Sequence, residues 1–441
     1  MMNEPEIYKN VINDWLESTN NGIYEEYSQI FSFDFINKED NNSLLIISGS
    51  FLLNAQIFGS DIDCLIILPY NNNEINNFEK IFEEKFFGKN NKSLSGYRSN
   101  IQINSMTENN KNLFRLALLT IKLWAKNNFI YGTQFGFFGG PALSIIICRT
   151  LLSFNNNNIS IFDLLIYTLE LFKNRFWYIP LTLEIPQNYL NIRQTLDWNL
   201  DKESESKWKQ IPSNLRNYLL KHTQIIWPII TPGFPTQNVF FNVNDSTAQI
   251  IQWEIQKGLE KLWKLRNQII NGYKPAWTIR NSWINLLKRE NFEEKYMYYL
   301  GIVCGYSPLS ENGISFCDFV GTRLRLQLIF SIEILPGISF CHLNPKKLIE
   351  NEKCLLLPEM FKKIKEIGED WLCTTWLVGI STKQWHKYEF EQINWENVLT
   401  EFVKYIDQFG YRKKYPETAI GTNEGSLLHL KAVYLTIKLI D

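Results

Sequence analysis

Residues 48–68 read SGSFLLNAQIFGSDIDCLIIL, and they place an Asp-x-Asp pair directly before an apolar run that is typical of a buried strand. Successive side chains of a strand point to opposite faces, so Asp61 and Asp63 would lie on the same face. Two carboxylates beside a buried strand are costly unless a cation holds them. Because Mg²⁺ prefers carboxylate oxygens, the pair predicts a divalent-metal site.

A Gly-Ser pair precedes the two aspartates in the same stretch. Gly49 and Ser50 follow an apolar run and predict a tight turn whose backbone N–H groups and hydroxyl suit phosphate oxygens. Together, the turn and the carboxylates describe a site for a metal–nucleoside triphosphate. An Asp-x-Asp also occurs by chance at the solvated start of a strand, so the stretch alone leaves both interpretations open.

The composition indicates a globular protein of two or three domains. The chain has 441 residues, of which 45% are hydrophobic and 15% aromatic, enough for packed cores. Its net charge of −1 excludes a uniformly basic nucleic-acid binder, so RNA contacts would need locally concentrated lysines. No apolar run reaches the length of a membrane span, and no signal peptide is evident.

The seven cysteines and four histidines indicate neither a disulfide framework nor a zinc site. The cysteines form no Cys-x-x-Cys pair and lie mostly in apolar contexts. This pattern predicts reduced core thiols in an intracellular protein. The histidines are scattered along the chain, so no set of zinc ligands is legible.

Hydrophobic patterning divides the chain into an α/β region, a mainly helical region and an α+β region, with boundaries near residues 111 and 290. The predicted helices are 5–19, 75–86, the stretch from 112 onward, 313–333 and 395–409. The predicted strands are 43–50, 61–69, 97–106, 337–343 and 373–381. A segment with three prolines, 227–243, interrupts the helical region and predicts an ordered loop.

Four ordered stretches carry a resemblance to a known family: GSFLLNAQIFGSDIDCLIILP, FRLALLTIKLWAKNNFIYGTQFGFFGG, WPIITPGFPTQNVFFNV and NFEEKYMYYL. Together they resemble the eukaryotic nuclear type of poly(A) polymerase, a DNA polymerase β-like nucleotidyltransferase, over roughly residues 5–410. The resemblance implies an α+β multidomain fold. Its parts would be a palm-like α/β catalytic domain (1–111), a mainly helical central domain (112–290) and an RRM-like α+β RNA-binding domain (291–441).

The resemblance also implies an activity, the transfer of AMP from ATP to the 3′-hydroxyl of RNA by two-metal in-line displacement. Asp61 and Asp63 would ligate Mg²⁺ or Mn²⁺. The implied nucleotide-binding residues are Gly49, Ser50, Lys122, Tyr131, Thr133, Gly139 and Gly140. Lys122 would reach the phosphates as a cation, and the two later glycines would let the backbone approach the adenosine.

The chain departs from the family pattern at the third catalytic carboxylate. The family carries it on a third strand, and the matching stretch here, NIQINSM, has Asn104 at that position. An amide offers a metal only a neutral oxygen, and losing a positioned base costs about 10²–10⁴-fold in rate. Arg115 follows after only eleven positions, a much shorter connection than the family has, and Thr133 replaces an asparagine.

Three functional interpretations therefore stay open: an active poly(A) polymerase, a catalytically impaired relative that acts by binding RNA or partners, and a transferase with another substrate such as UTP. The resemblance implies mRNA 3′-end polyadenylation in the nucleus. The near-neutral charge predicts weak affinity for RNA alone, since affinity scales with the phosphates neutralised. We therefore expect a monomer that a 3′-end processing protein recruits to the RNA 3′ end, without membrane association.

Overall fold

The computed structural model describes residues 44–57, 63–67, 92–154, 159–174, 181–183, 227–233, 236–270, 276–310, 312–349, 370–383, 386–406 and 428–436. The chain forms two compact units. Unit 1 comprises Met1–Asn127, Phe138–Phe241 and Glu254–Lys288, and unit 2 comprises Asn128–Phe137, Asn242–Trp253 and Arg289–Asp441. The chain therefore enters unit 2 twice for short segments before it stays there.

Unit 1 begins with a hairpin whose strands are β1 (Leu44–Ile47) and β2 (Cys64–Ile67). The strands pair antiparallel, with Ile47 opposite Cys64. Between them lies a single helical turn, α1 (Gly49–Leu52). These two strands confirm the predictions at 43–50 and 61–69 for the part of each that the structure describes. The predicted helices at 5–19 and 75–86 lie outside the described residues.

The predicted strand over 97–106 is wrong, because these residues belong to helix α2 (Lys92–Met106). Its buried side chains, Ser95, Ser99, Asn100 and Ile103, recur at helical spacing. The apolar alternation in IQIN is only four residues long, and so short a run does not separate a strand from a helix. The polar residues of the buried face distinguish the helix from a strand.

The rest of unit 1 is helical and forms one apolar core. Its helices are α3 (Lys111–Asn127), α4 (Gly140–Leu152), α5 (Ile161–Asn174), α6 (Asp245–Ile270), which begins in unit 2, and α7 (Ala276–Leu287). Helix α3 buries Phe114, Ala117, Ile121 and Trp124, as its apolar spacing predicts. The predicted loop at 227–243 is confirmed in its described part, where isolated bridges join Leu181 to Ile229 and Ile230 to Asn238.

Unit 2 is built on an antiparallel sheet. Its strands are β3 (Tyr298–Tyr306), β4 (Ile338–Leu343), β5 (Leu348–Ile349), β6 (Leu372–Thr382) and β7 (Leu428–Thr436). Their order is β4-β6-β3-β7, with β5 paired to β6. Between β3 and β4 run α8 (Gly313–Arg323), a π-helical turn (Leu324–Ile329) and α9 (Phe330–Glu333). Between β6 and β7 lie α10 (Lys387–Glu391) and α11 (Trp395–Tyr405).

These elements confirm the predicted helix at 313–333, both predicted strands and the described part of the predicted closing helix. Both faces of β3 are covered. Tyr299 and Val303 pack with Phe129 and Phe292 on one face. On the other, Trp376, paired with Ile302, packs against α8 at Gly321, where a β-carbon would lie 3.0 Å from the indole.

Two further expectations concern the described part of the chain only. Five cysteines in it, Cys148, Cys304, Cys317, Cys341 and Cys373, are buried and form no disulfide, as predicted for core thiols. Among the described helices, none is both long and apolar enough to cross a membrane.

Candidate nucleotide-binding site

The Gly-Ser turn and the second aspartate of the Asp-x-Asp lie against each other. Gly49 has φ +64°, in the left-handed region that favours glycine. The Ser48 N–H donates to the Asp63 carbonyl at 2.7 Å. A β-carbon on residue 49 would overlap Asp63 Oδ2, so the carboxylate lies directly against the Gly49 backbone. Asp63 itself is exposed, so its carboxylate is open to a ligand from solvent.

Helix α2 fixes this turn from one side. The Asn100 side-chain amide donates to Ser48 Oγ and to the Gly49 carbonyl, both at 3.4 Å. One helical turn later, Asn104 Nδ2 donates to the Leu52 carbonyl at 3.1 Å. The two asparagines thus donate to backbone carbonyls at the start and end of α1, and the Gly49 carbonyl also accepts from the Leu53 N–H at 3.4 Å.

Helix α3 fixes the chain that leaves the turn. Arg115 Nε donates to the Asn54 carbonyl at 2.8 Å, and Lys122 Nζ donates to the Ala55 carbonyl at 2.8 Å. Asn54 has φ +50°, a left-handed conformation that asparagine tolerates. The turn at 49–55 is therefore held in a single conformation by donors from two helices. Such preorganisation is what a phosphate-binding turn requires.

Lys122 is a buried cation beside this turn. Burial lowers its pKa to about 8, with the nearby Lys126 lowering it further and Asp63 opposing the shift. The ammonium group is therefore still mostly protonated near neutral pH, although desolvation disfavours its charge. An incoming anion would restore the lost stabilisation, and this makes Lys122 suited to a phosphate ligand.

Asn104 does not occupy the position that the sequence comparison assigned to it. That assignment placed it on a third strand beside the aspartates, whereas Asn104 lies on α2 and its amide is bonded to the Leu52 carbonyl. Asn104 therefore supports the turn through this hydrogen bond, and the strand predicted for it is wrong. The shortened connection from Asn104 to Arg115 is likewise the short link from α2 to α3 through Glu108–Asn110.

We expect Asn104→Asp to destabilise the protein and to leave any transferase activity unimproved. The change removes the donor to Leu52 and sets a carboxylate against a carbonyl, which costs about 1–3 kcal/mol. Chemical denaturation would measure the loss. Ser105→Asp is the matched control, because it adds the same charge at the exposed neighbouring position. Equal stability of the two variants, or a gain of activity in Asn104→Asp, would contradict this account.

Replacing Lys122 by methionine should change how stability depends on pH. The pKa of Lys122 is about 8 in the folded chain against an ordinary value of 10.5, so the unfolded chain binds more protons between these pH values. Stability of the wild type should therefore rise by up to about 3 kcal/mol as the pH rises from 8 to 10.5. Thermal unfolding of Lys122→Met should lack this rise.

Lys111→Met is the control for that experiment. Lys111 is an exposed residue at the start of the same helix, and its replacement should leave the pH dependence as in the wild type. A Lys122→Met variant that keeps the full rise would show that the ammonium group is not desolvated.

The remaining sequence-predicted residues fall into both units. Tyr131 and Thr133 belong to unit 2, whereas Gly139 and Gly140 belong to unit 1, where they precede and begin α4. The Thr133 carbonyl accepts from Asn242 Nδ2 at 3.0 Å. Asp61 lies outside the described residues. In the part of the chain that the structure describes, no group of three or more His, Cys, Asp or Glu side chains could hold a metal ion.

Sequence reasoning missed Asn100 and the role of Arg115. Both donate to carbonyls of the turn, and neither carries a recognisable catalytic pattern. The only available signal was the helical spacing of the polar residues Ser95, Ser99 and Asn100 with Ile103, which a strand assignment hides.

The similarity to known proteins is clearest in the helical region. Residues 113–278 match the poly(A) polymerase central domain. A poly(A) polymerase of Candida albicans is 30% identical over 230 residues, covering 52% of this chain and 36% of that protein. A poly(A) polymerase of Dictyostelium discoideum is 29% identical over 290 residues, covering 66% of this chain and 30% of that protein. The chain thus matches only about a third of the length of these relatives.

A solved structure of a cytoplasmic RNA terminal U-transferase has a TM-score of 0.40 and 13% identity, with 64% of this chain and 99% of that chain covered. A likeness this weak carries no argument about fold or activity. The likeness rests instead on the sequence matches to the central domain and to the two polymerases. The chain is therefore similar to poly(A) polymerases, most directly over residues 113–278.

Proposed function

We propose that this protein is a template-independent polynucleotide adenylyltransferase, which transfers AMP from ATP to the 3′-hydroxyl of RNA. The observation that carries the proposal is the contact of the Asp63 carboxylate with the left-handed Gly49, beside the buried Lys122. It combines an exposed hard-oxygen ligand with a preorganised turn and a cation, the three parts that a metal-bound triphosphate requires.

The chemistry of Asp63 fits Mg²⁺ or Mn²⁺, because a carboxylate is a hard-oxygen ligand. Asp63, with Asp61 beside it in sequence, would hold the metal. When bound, the metal would lower the pKa of the attacking hydroxyl and neutralise charge on the leaving pyrophosphate.

The protein's own residues would supply binding and orientation. The backbone of Gly49 and Ser50 would contact the triphosphate, and Lys122 would place a positive charge beside it. The Asn100, Asn104, Arg115 and Lys122 donors keep the turn in place without the ligand. Little reorganisation is then needed at the moment of reaction, which is where such sites gain most of their rate. Tyr131, Thr133, Gly139 and Gly140 would contact the nucleotide.

We further propose the three-domain division: a palm-like catalytic domain at 1–111, a central domain at 112–290 and an RRM-like domain at 291–441. The order β3-helix-β4-β6-helix-β7, with spatial order β4-β6-β3-β7, supports the last, since this is the split β-α-β arrangement. RNA would not stack on β3 in the usual RRM manner, because Tyr299 is fully buried.

The partners and location follow the same proposal. RNA would enter by its 3′ end, and a 3′-end processing protein would recruit the enzyme as a monomer in the nucleus. The net charge of −1 supports recruitment, because affinity for RNA by charge alone would be low.

The test is RNA extension by the purified full chain. We expect labelled RNA to lengthen with ATP and Mg²⁺ or Mn²⁺, and extension to stop when a chelator removes the metal. A preference for UTP over ATP would mean that the enzyme transfers UMP to RNA and not AMP. No extension with any nucleotide or metal would overturn the proposal and leave a relative that acts by binding RNA or partners.

A further inference from the structure

The segment Asn128–Phe137 carries two of the proposed nucleotide-binding residues, Tyr131 and Thr133, and it belongs to unit 2, although the chain before and after it belongs to unit 1. The backbone is strained at the second residue of this segment. Phe129 has φ +62°, a left-handed conformation that a bulky side chain rarely adopts. Such a conformation persists only where the surroundings impose it, and it is concentrated at functional sites.

The surroundings of Phe129 come from the C-terminal part of unit 2. Its ring packs edge-to-face on Phe292, with centroids 5.0 Å apart. The Arg289 guanidinium lies 5.3 Å and the Lys295 ammonium 5.6 Å from the ring centroid. The Phe129 carbonyl faces His342 Nε2 at 2.9 Å. Ring and carbonyl are thus both held.

His342 on β4 contacts both ends of the segment. It is fully buried, and its ring packs on the ring of Phe137 with centroids 5.3 Å apart. Its Nδ1 lies 2.6 Å from Tyr296 Oη. Because the Phe129 carbonyl can only accept, Nε2 carries the proton, so Nδ1 accepts from the Tyr296 hydroxyl. The Phe129 carbonyl therefore fixes the tautomer, and the Tyr296 hydroxyl holds the ring at its other nitrogen.

The middle of the segment rests on the same unit. Gly132 has φ +141°, and a β-carbon there would lie 3.6 Å from Pro345, which follows β4. Gly136 has φ +79°, and the Arg325 guanidinium lies against its α-carbon. Together with the hydrogen bond from Asn242 to the Thr133 carbonyl, these contacts restrict the backbone conformation of the segment.

We propose that His342, oriented by Tyr296, is a positioning residue that holds Tyr131 and Thr133 in the geometry for nucleotide binding. The inference rests on the proposed function for the identity of the ligand. It gives the C-terminal part of unit 2 the role of supporting the segment 128–137 of the same unit.

The experiment compares His342→Leu, His342→Gln and Tyr296→Phe in the full chain. A glutamine amide can still donate to the Phe129 carbonyl, whereas leucine cannot. We expect His342→Leu to raise hydrogen exchange of the amides at 130–136 at least about tenfold, with little change in the helices of unit 1. We expect it to raise KM for ATP about tenfold with kcat almost unchanged, as for a lost binding contact.

His342→Gln should restore both quantities to within about threefold of the wild type, and Tyr296→Phe should lie between the two. Unchanged exchange at 130–136 in His342→Leu, or a glutamine variant that behaves like leucine, would overturn the inference. So would raised exchange with an unchanged KM. If His342→Leu does not fold, the glutamine and phenylalanine variants decide by the same readouts. Exchange is measured without turnover, so a wild type that extends no RNA refutes the proposed function separately.

Discussion

Asp63→Asn is expected to lower RNA extension by about 10²–10⁴-fold, the loss typical of removing a positioned catalytic group. The asparagine keeps the size of the side chain and its contact with the Gly49 backbone, but it replaces an anionic ligand by a neutral one. Because Asp63 is exposed, stability should change little. Single-nucleotide addition under saturating ATP and metal would measure the effect.

Asp318→Asn is the control. Asp318 is 58% exposed and pairs with Lys347 at 2.7 Å, an exposed ion pair of the kind that contributes less than about 1 kcal/mol. The Asp318→Asn variant makes the same aspartate-to-asparagine change on the surface of unit 2, and it should extend RNA as the wild type does. An Asp63→Asn enzyme as active as this control would remove Asp63 from the catalytic site.

Gly49→Ala is expected to cost about 100-fold in extension, because a displacement of the reacting groups by roughly 1 Å has an effect of this size. A β-carbon at this position would overlap the Asp63 carboxylate, and φ of +64° is unfavourable for alanine. In the alanine variant, the turn and the Asp63 carboxylate must therefore move apart. The strain should also lower the free energy of unfolding by about 1–3 kcal/mol.

Gly96→Ala is the opposite case on helix α2. A β-carbon there would meet nothing within 4 Å, and the residue lies inside a helix. Alanine should therefore stabilise the protein by about 1 kcal/mol and leave extension unchanged. The two alanine variants, measured by denaturation and by extension, separate the general cost of a glycine replacement from the cost at the turn. Equal behaviour of both would contradict the tight contact at Gly49.

Regular elements with a strong apolar period were predictable. The spacing of Phe114, Ile121 and Trp124 identifies α3, and the apolar run around Trp376 identifies β6. The 97–106 stretch failed because two apolar residues at alternate positions outweighed Ser95, Ser99 and Asn100, whose burial no local pattern reveals. The resemblance placed Asn104 on that strand at the position of the third catalytic carboxylate, whereas it lies on α2.

Only the residue types of the candidate site could be predicted from the sequence. Gly49 next to Ser50, and Asp63 before an apolar run, indicate a phosphate turn and a metal ligand. The sequence cannot show that Asn100 and Arg115 hold that turn, because these contacts join residues 51 and 61 positions apart. Nor can it show that His342 supports Phe129 across 213 positions.

The amino-acid order alone determined the periodic helices and strands, the acidic pair and the similarity to poly(A) polymerases, because each depends on neighbours within a few residues or on ordered short motifs. Tertiary structure alone decided which carbonyls are satisfied by which side chains, that Asn104 supports a turn, and that the segment bearing Tyr131 is anchored by β4. A buried polar group must find its partner wherever the folded chain brings one within about 3 Å, and sequence distance does not constrain that choice.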